Sequence, residues 1–136
     1  MYPHPGLVAP AQYWHDPYDQ PAYLTSSAFL ADINNQRSRK KTQYKEALTN
    51  LQNFVLVKWI NDTSVIPGVS SHFGFYKLQQ DNITLSLQEL PIYEEDWLGL
   101  KVLDLQGKLH FMEMEGDHMD FNWPWFTENI VIPFLL

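Results

Sequence analysis

An α/β fold with a parallel sheet is the class this sequence predicts, and three features of its 136 residues carry that reading. Tyr44, Ala47, Leu48 and Leu51 recur at i, i+3, i+4, i+7, the spacing of one buried helical stripe. The run Phe54-Val-Leu-Val-Lys-Trp-Ile60 follows almost at once. It is nearly continuous in apolar residues and of strand length, as in a parallel sheet covered on both faces. A second core strand at Leu109–Met114 precedes a loop and a last helix.

Taken in order, residues 1–24 hold Pro3, Pro5, Pro10, Pro17 and Pro21 among aromatics, which predicts no regular structure beyond short turns. Thr42 reads as the N-cap of the helix just described. The turn-rich stretch NDTSVIPG closes the first strand. Phe73-Gly-Phe-Tyr76 and Ile83–Leu87 suggest a hairpin-like pair of short strands, with Asp81-Asn82 at the turn. The turn Gln106-Gly107 leads into Leu109–Met114, and Glu115-Gly-Asp-His118 follows it. Trp123-Pro-Trp125 opens the final helix, with proline early, where its missing N–H costs nothing.

Composition narrows the function. With 45% apolar and 15% aromatic residues the chain is globular. Nine Lys+Arg against sixteen Asp+Glu leave −7, which argues against nucleic acid or an anionic membrane surface as partner. Arg37, Arg39, Lys40 and Lys41 cluster, and read as a solvated turn before the helix. No cysteine is present, so a thiol nucleophile, a Cys-based zinc site and a disulfide are excluded. No run of eighteen apolar residues exists to span a membrane. The opening MYPHPGLVAPAQ lacks the pattern of a signal peptide, and reads as the edge of a truncation.

Asp62 follows the first strand and His118 the second. Loops at the carboxyl ends of parallel strands meet at one sheet edge, so two residues 56 positions apart can come together there. In α/β-hydrolases the triad runs Ser, then Asp or Glu, then His, and an acid fixes the imidazole tautomer. An unpaired loop histidine is the competing reading. No G-x-S-x-G elbow is present; Gly68-Val-Ser-Ser-His72 lacks the second glycine and the preceding strand. Asp117 is a rival partner for the imidazole. Among His4, His15, His72, His110 and His118 no pair has helical metal-ligand spacing, and His110 and Glu113 would face opposite sides of a strand, so no metal or cofactor is expected. Trp59, Trp97, Trp123 and Trp125 read as core or groove residues in place of a carbohydrate platform. Asn61-Asp-Thr63 and Asn82-Ile-Thr84 are glycosylation sequons.

From about Leu7 to the end the chain resembles the C-terminal part of the lysosomal palmitoyl-protein thioesterases. The resemblance is carried by YWHDP (Tyr13–Pro17), FLADIN (Phe29–Asn34), FVLVKWIND (Phe54–Asp62), FGFY (Phe73–Tyr76), LGLK (Leu98–Lys101), EGDH and IPF (Ile132–Phe134). It implies an α/β-hydrolase fold of which this chain supplies the last parallel strands and helices. Residues 1–50 would be the end of a helical insertion lining an acyl groove, and 51–136 the C-terminal part of the core. It further implies a Ser-Asp-His triad with Asp62 as acid, His118 as base and the serine outside the chain. The implied activity is hydrolysis of palmitoyl thioesters on protein cysteines, in the lysosome, with S-acylated proteins as partners and a glycan position at Asn61. The alternative is a truncated, non-catalytic fragment that binds acyl chains or proteins. On its own the chain is expected to be inactive and poorly stable.

Overall fold

Two parallel strands organise the chain, and everything between them exists to connect and cover them. The computed structural model describes residues 13–136; Pro3, Pro5 and Pro10, with His4, lie outside the described residues. Three helices come first: α1 (Gln20–Ser26), α2 (Leu30–Ile33) and α3 (Thr42–Thr49). Strand β1 (Phe54–Trp59) leads through a 3₁₀ turn (Gly68–His72) to the short strands β2 (Phe75–Tyr76) and β3 (Thr84–Leu85). A second 3₁₀ turn (Leu87–Glu89), α4 (Pro91–Glu94) and α5 (Leu100–Leu105) return the chain to β4 (Leu109–Met114). A last segment joins α6 (Trp123–Phe126), a π turn (Thr127–Val131) and α7 (Ile132–Leu135).

Strands β1 and β4 pair in parallel, from Phe54 opposite Leu109 to Trp59 opposite Met114. Parallel strands need a long crossover, and here residues 60–108 supply it. They include the antiparallel β2–β3 pair, with Phe75 opposite Leu85 and Tyr76 opposite Thr84. The mixture of helices and parallel strands is the α/β class read from the sequence. The core lies under one face of the sheet. Leu56 and Leu109 point into it, and Leu87, Ile92, Leu98, Leu100 and Leu103 of the crossover fill it. Full burial of each such side chain stabilises the fold by roughly 1.5–3 kcal/mol. On β1 only Leu56 is buried, so the expectation of a strand covered on both faces is corrected among the described residues.

The helices show where local pattern fell short. Helix α1 begins inside the stretch expected to be irregular: the Asp19 side chain accepts the Ala22 N–H at 3.1 Å, and Pro21 sits in the first turn, where no donor is lost. At α3 the cap is Lys41, in an extended conformation, and Thr42 is the first helical residue. Tyr44 and Leu48 of its stripe pack on the core, while Ala47 and Leu51 are exposed. Helix α5 crosses α3 closely at Gly99, whose φ of +81° and position within 2.3 Å (from a would-be Cβ) of Thr49 Cγ2 exclude a side chain. In the C-terminal segment Asn122 accepts the Trp125 N–H at 3.0 Å. Pro133 offers no N–H and crowds the carbonyl four residues back, so the helix widens into the π turn just before it.

The basic cluster is solvated, as read from the sequence, but it is also paired. Arg37 Nε donates to Leu24 O at 2.9 Å and Nη2 to Ser27 O at 2.6 Å, closing the carbonyl end of α1. Lys41 Nζ lies 2.7 Å from Asp32 Oδ1, and the Tyr44 hydroxyl donates to Asp32 Oδ2 at 2.8 Å. Lys40 sits 3.6 Å above the Trp97 ring. The buried Asn35 accepts from Lys41 N at 2.7 Å and donates to Trp97 O at 2.9 Å. Three of the four cations therefore clasp α1, α2 and α3 to one another and to the crossover.

Candidate active site

Because β1 and β4 run in parallel and in register, the loops that leave them start side by side. The ladder extends past both strands, with Ile60 N–H donating to Met114 O at 2.9 Å and Asn61 N–H to Gly116 O at 3.1 Å. Gly116 has a φ of +119°, and a Cβ there would come within 2.9 Å of Asp120 Oδ2, so this turn demands glycine. Asp62 emerges one residue later and His118 two, and the structure brings them together: His118 Nδ1 lies 3.0 Å from Asp62 Oδ2.

Asp62 is anchored from its other side. Its Oδ1 accepts the N–H of Ser64 at 2.8 Å and of Val65 at 2.9 Å, an Asx turn formed by the chain that follows. Its side chain is 2% exposed, whereas that of His118 is 41% exposed. Burial pushes the Asp62 carboxyl up, but the hydrogen bonds from His118, Val65 and Ser64 together outweigh it, and the net pKa is lowered. The group is an ionised acceptor. An ionised carboxylate only accepts, so His118 Nδ1 carries a proton, and in the neutral ring the lone pair is on Nε2. The pair is thus arranged as an oriented base, with its acid held in place by the backbone. The Trp59 ring stands 6.4 Å from the imidazole, and its Nε1–H donates to Asp120 O at 3.0 Å.

Asp117 does not compete for the imidazole. Its Oδ1 accepts from Thr63 N at 2.8 Å, Thr63 Oγ1 at 2.9 Å and His118 N at 2.7 Å, and its Oδ2 accepts from Thr63 Oγ1 at 3.0 Å. Pattern reading missed this partnership. The signal was the adjacency of Asp62 to Thr63 and of Asp117 to His118. The remaining candidates are elsewhere. His110 Nε2 contacts Asn53 Oδ1 at 2.9 Å, Glu113 pairs with Lys58, and His72 Nε2 contacts Met112 O at 3.0 Å. Among the described residues no group of His, Asp and Glu side chains could hold a metal, and no hydrogen bond joins a serine hydroxyl to His118. Trp123 is 68% exposed against Phe121 and Phe126, and is therefore no core residue. Asn61 and Asn82 are both exposed. An apolar pocket of about 390 Å³ opens between α2 and α3, lined by Phe29, Ile33, Tyr44, Leu48 and Leu98.

Comparison with known proteins bears on this arrangement. The family model described as palmitoyl protein thioesterase matches residues 5–118. The chain is 47% identical over 112 residues to "Palmitoyl-protein thioesterase 1" of Caenorhabditis elegans, across 82% of this chain and 37% of that protein. It is 42% identical over 130 residues to "Palmitoyl-protein thioesterase 3" of Dictyostelium discoideum, across 92% of this chain and 45% of the relative. To "Lysosomal thioesterase PPT2" of Mus musculus it is 35% identical over 105 residues, 76% of this chain and 34% of that protein. The chain therefore spans less than half the length of these relatives.

Proposed function

Since the chain belongs to the palmitoyl protein thioesterase family, we propose that it supplies the acid and the base of a thioesterase that removes long-chain acyl groups from protein cysteines. The 3.0 Å contact between Asp62 Oδ2 and His118 Nδ1, at the adjoining ends of two parallel strands, is the observation that supports this most strongly. The nucleophile is a serine contributed by sequence outside these 136 residues. His118 Nε2 takes the serine proton as the oxygen attacks the thioester carbonyl, and the charged imidazole is stabilised by Asp62. The tetrahedral intermediate collapses by breaking the C–S bond. A cysteine thiol has a pKa near ~8.5, so the sulfur departs as thiolate more readily than an amine would, and the histidine matters more as base than as acid. The imidazolium gives up its proton to the departed thiolate, and the same nitrogen then takes one from water as it attacks the acyl-serine; collapse of that second intermediate returns this proton to the serine oxygen and releases the fatty acid.

Residues 1–50 are the end of a helical insertion lining the acyl groove, and 51–136 the C-terminal part of the hydrolase core. The apolar pocket between α2 and α3 is consistent with that division. A lysosomal location is supported by the relatives named lysosomal thioesterases. Passage through the secretory route would bring glycans to Asn61 and Asn82. Peptide mass mapping after enzymatic deglycosylation tests this, and an unmodified Asn61 peptide at full abundance overturns it.

The functional test is His118→Ala in a protein that carries the serine, assayed on a palmitoyl thioester. Loss of a triad base costs on the order of 10³–10⁶ in rate. Activity within about tenfold of the parent sinks the assignment of His118, and a parent without turnover leaves acyl or protein binding without catalysis as the reading.

A further inference from the structure

We propose that Asp117 is a positioning residue, latching the loop of Asp62 to the loop of His118 through Thr63 and thereby holding the imidazole on its acid. The proposal rests on the reading of Asp62 and His118 as the catalytic pair. Beyond the bond from Asn61 N–H to Gly116 O the parallel ladder ends, and an imidazole that is 41% exposed has little packing to fix it. What holds the two loops is a pair of reciprocal bonds. His118 donates to Asp62 at 3.0 Å, and Thr63 donates to Asp117 from its N–H at 2.8 Å and its hydroxyl at 2.9 Å. Asp62 and Thr63 are neighbours in sequence, and so are Asp117 and His118. The two contacts therefore close one small ring through the backbone, in which neither loop can turn without straining the other bond.

The carboxylate of Asp117 is suited to this task and to no step of proton transfer. Both of its oxygens accept from Thr63, and Oδ1 also takes the His118 N–H at 2.7 Å, which fixes the backbone of the base itself. The His118 N–H first, then the Thr63 N–H and hydroxyl, hold its carboxyl below the usual range, so the acceptor stays charged in mild acid. Thr63 needs only its hydroxyl and N–H, a demand that serine meets and valine does not.

The experiment uses the folded, active protein made without glycosylation, so that the sequon at Asn61 plays no part. Asp117→Ala, Asp117→Asn, Thr63→Val, Thr63→Ser and the Asp117→Ala/Thr63→Val double variant are compared by kcat, KM and ¹⁵N-histidine NMR of His118. A small misplacement of a catalytic group costs on the order of 10²-fold. Asp117→Ala and Thr63→Val should each lower kcat by about that much with KM unchanged. The double variant should be no worse than either single one, and Thr63→Ser should match the parent. The Nδ1-bound proton of His118, slow to exchange in the parent, should be lost to solvent exchange in both single variants. Where Asp117→Ala does not fold, the isosteric Asp117→Asn, which keeps one acceptor and loses the charge, should show the same changes in smaller degree. Parent-like kcat and an unchanged Nδ1–H signal in Asp117→Ala or Asp117→Asn, or fully additive losses, overturn the latch. A His118→Ala variant that stays active overturns the catalytic reading instead, and the NMR comparison still reads the latch.

Discussion

Replacing Asp62 by asparagine changes one atom and should disable the base. Oδ1 accepts the N–H groups of Ser64 and Val65 at 2.8 and 2.9 Å, so the amide oxygen keeps that side and the NH₂ takes the place of Oδ2. It then faces His118 Nδ1 at 3.0 Å. An amide nitrogen only donates, so the imidazole must offer its lone pair at Nδ1 and carry its proton on Nε2. The serine proton then has no acceptor. Loss of the carboxylate charge adds to this: two unit charges 3.0 Å apart interact by about 5 kcal/mol at an effective dielectric near 20. Solvent around the half-exposed ring screens part of that, which leaves the tautomer error as the larger effect. Together they predict a fall in kcat on the order of 10⁴, about 5 kcal/mol in the barrier. Folding should barely change, because both backbone donors keep their acceptor. The assay, in a protein that carries the serine, is thiol release from a saturating palmitoyl thioester, run beside a thermal melt. A fall smaller than tenfold refutes the tautomer argument, and a large fall with a collapsed melt assigns the loss to folding.

Two further outcomes follow from the core and from the ionised groups. Leu103 is fully buried between α5 and the sheet, so Leu103→Ala should cost about 2–5 kcal/mol and lower Tm by on the order of 10 °C; a loss under about 1 kcal/mol in denaturant titration would overturn its place in the core. His15 lies stacked between Tyr23 and Phe75 at 3.8 and 4.0 Å, and burial, opposed by Gln20 and Asp16, lowers its pKa below 6.5. Its neutral ring therefore contributes stability in full above pH 6.5, and that contribution is lost as pH falls from there through the folded value. Asp32, held down by Lys41 and Tyr44, and Asp62 and Asp117 as described, contribute stability present above about pH 3.8 and lost as pH falls through their lower folded values. Melts across this range should show two separate declines, and His15→Phe should remove the upper one; an unchanged upper decline refutes the assignment.

Local pattern was sufficient wherever the signal is local. The apolar run at Phe54–Ile60, the shorter one at Leu109–Met114 and the helical spacing at Tyr44 and Leu48 are set by neighbours within a few residues, and β1, β4 and α3 lie where those patterns place them. The order strand, acid, strand, histidine was legible too, since parallel pairing obliges the two following loops to meet. Tertiary structure decided the rest. Helices of four to seven residues such as α1, α2 and α5 cannot sustain themselves in water, because nucleation costs more than so few bonds return; they stand because Tyr23, Ala31, Leu100 and Leu103 are buried. The clasp of Arg37 and Lys41 on α1 and α2, and the choice of Thr63 over the His118 imidazole by Asp117, depend on partners 9 to 54 positions away. A residue's type and its neighbours state what it can bond; only the folded chain determines which of several eligible partners arrives within 3 Å.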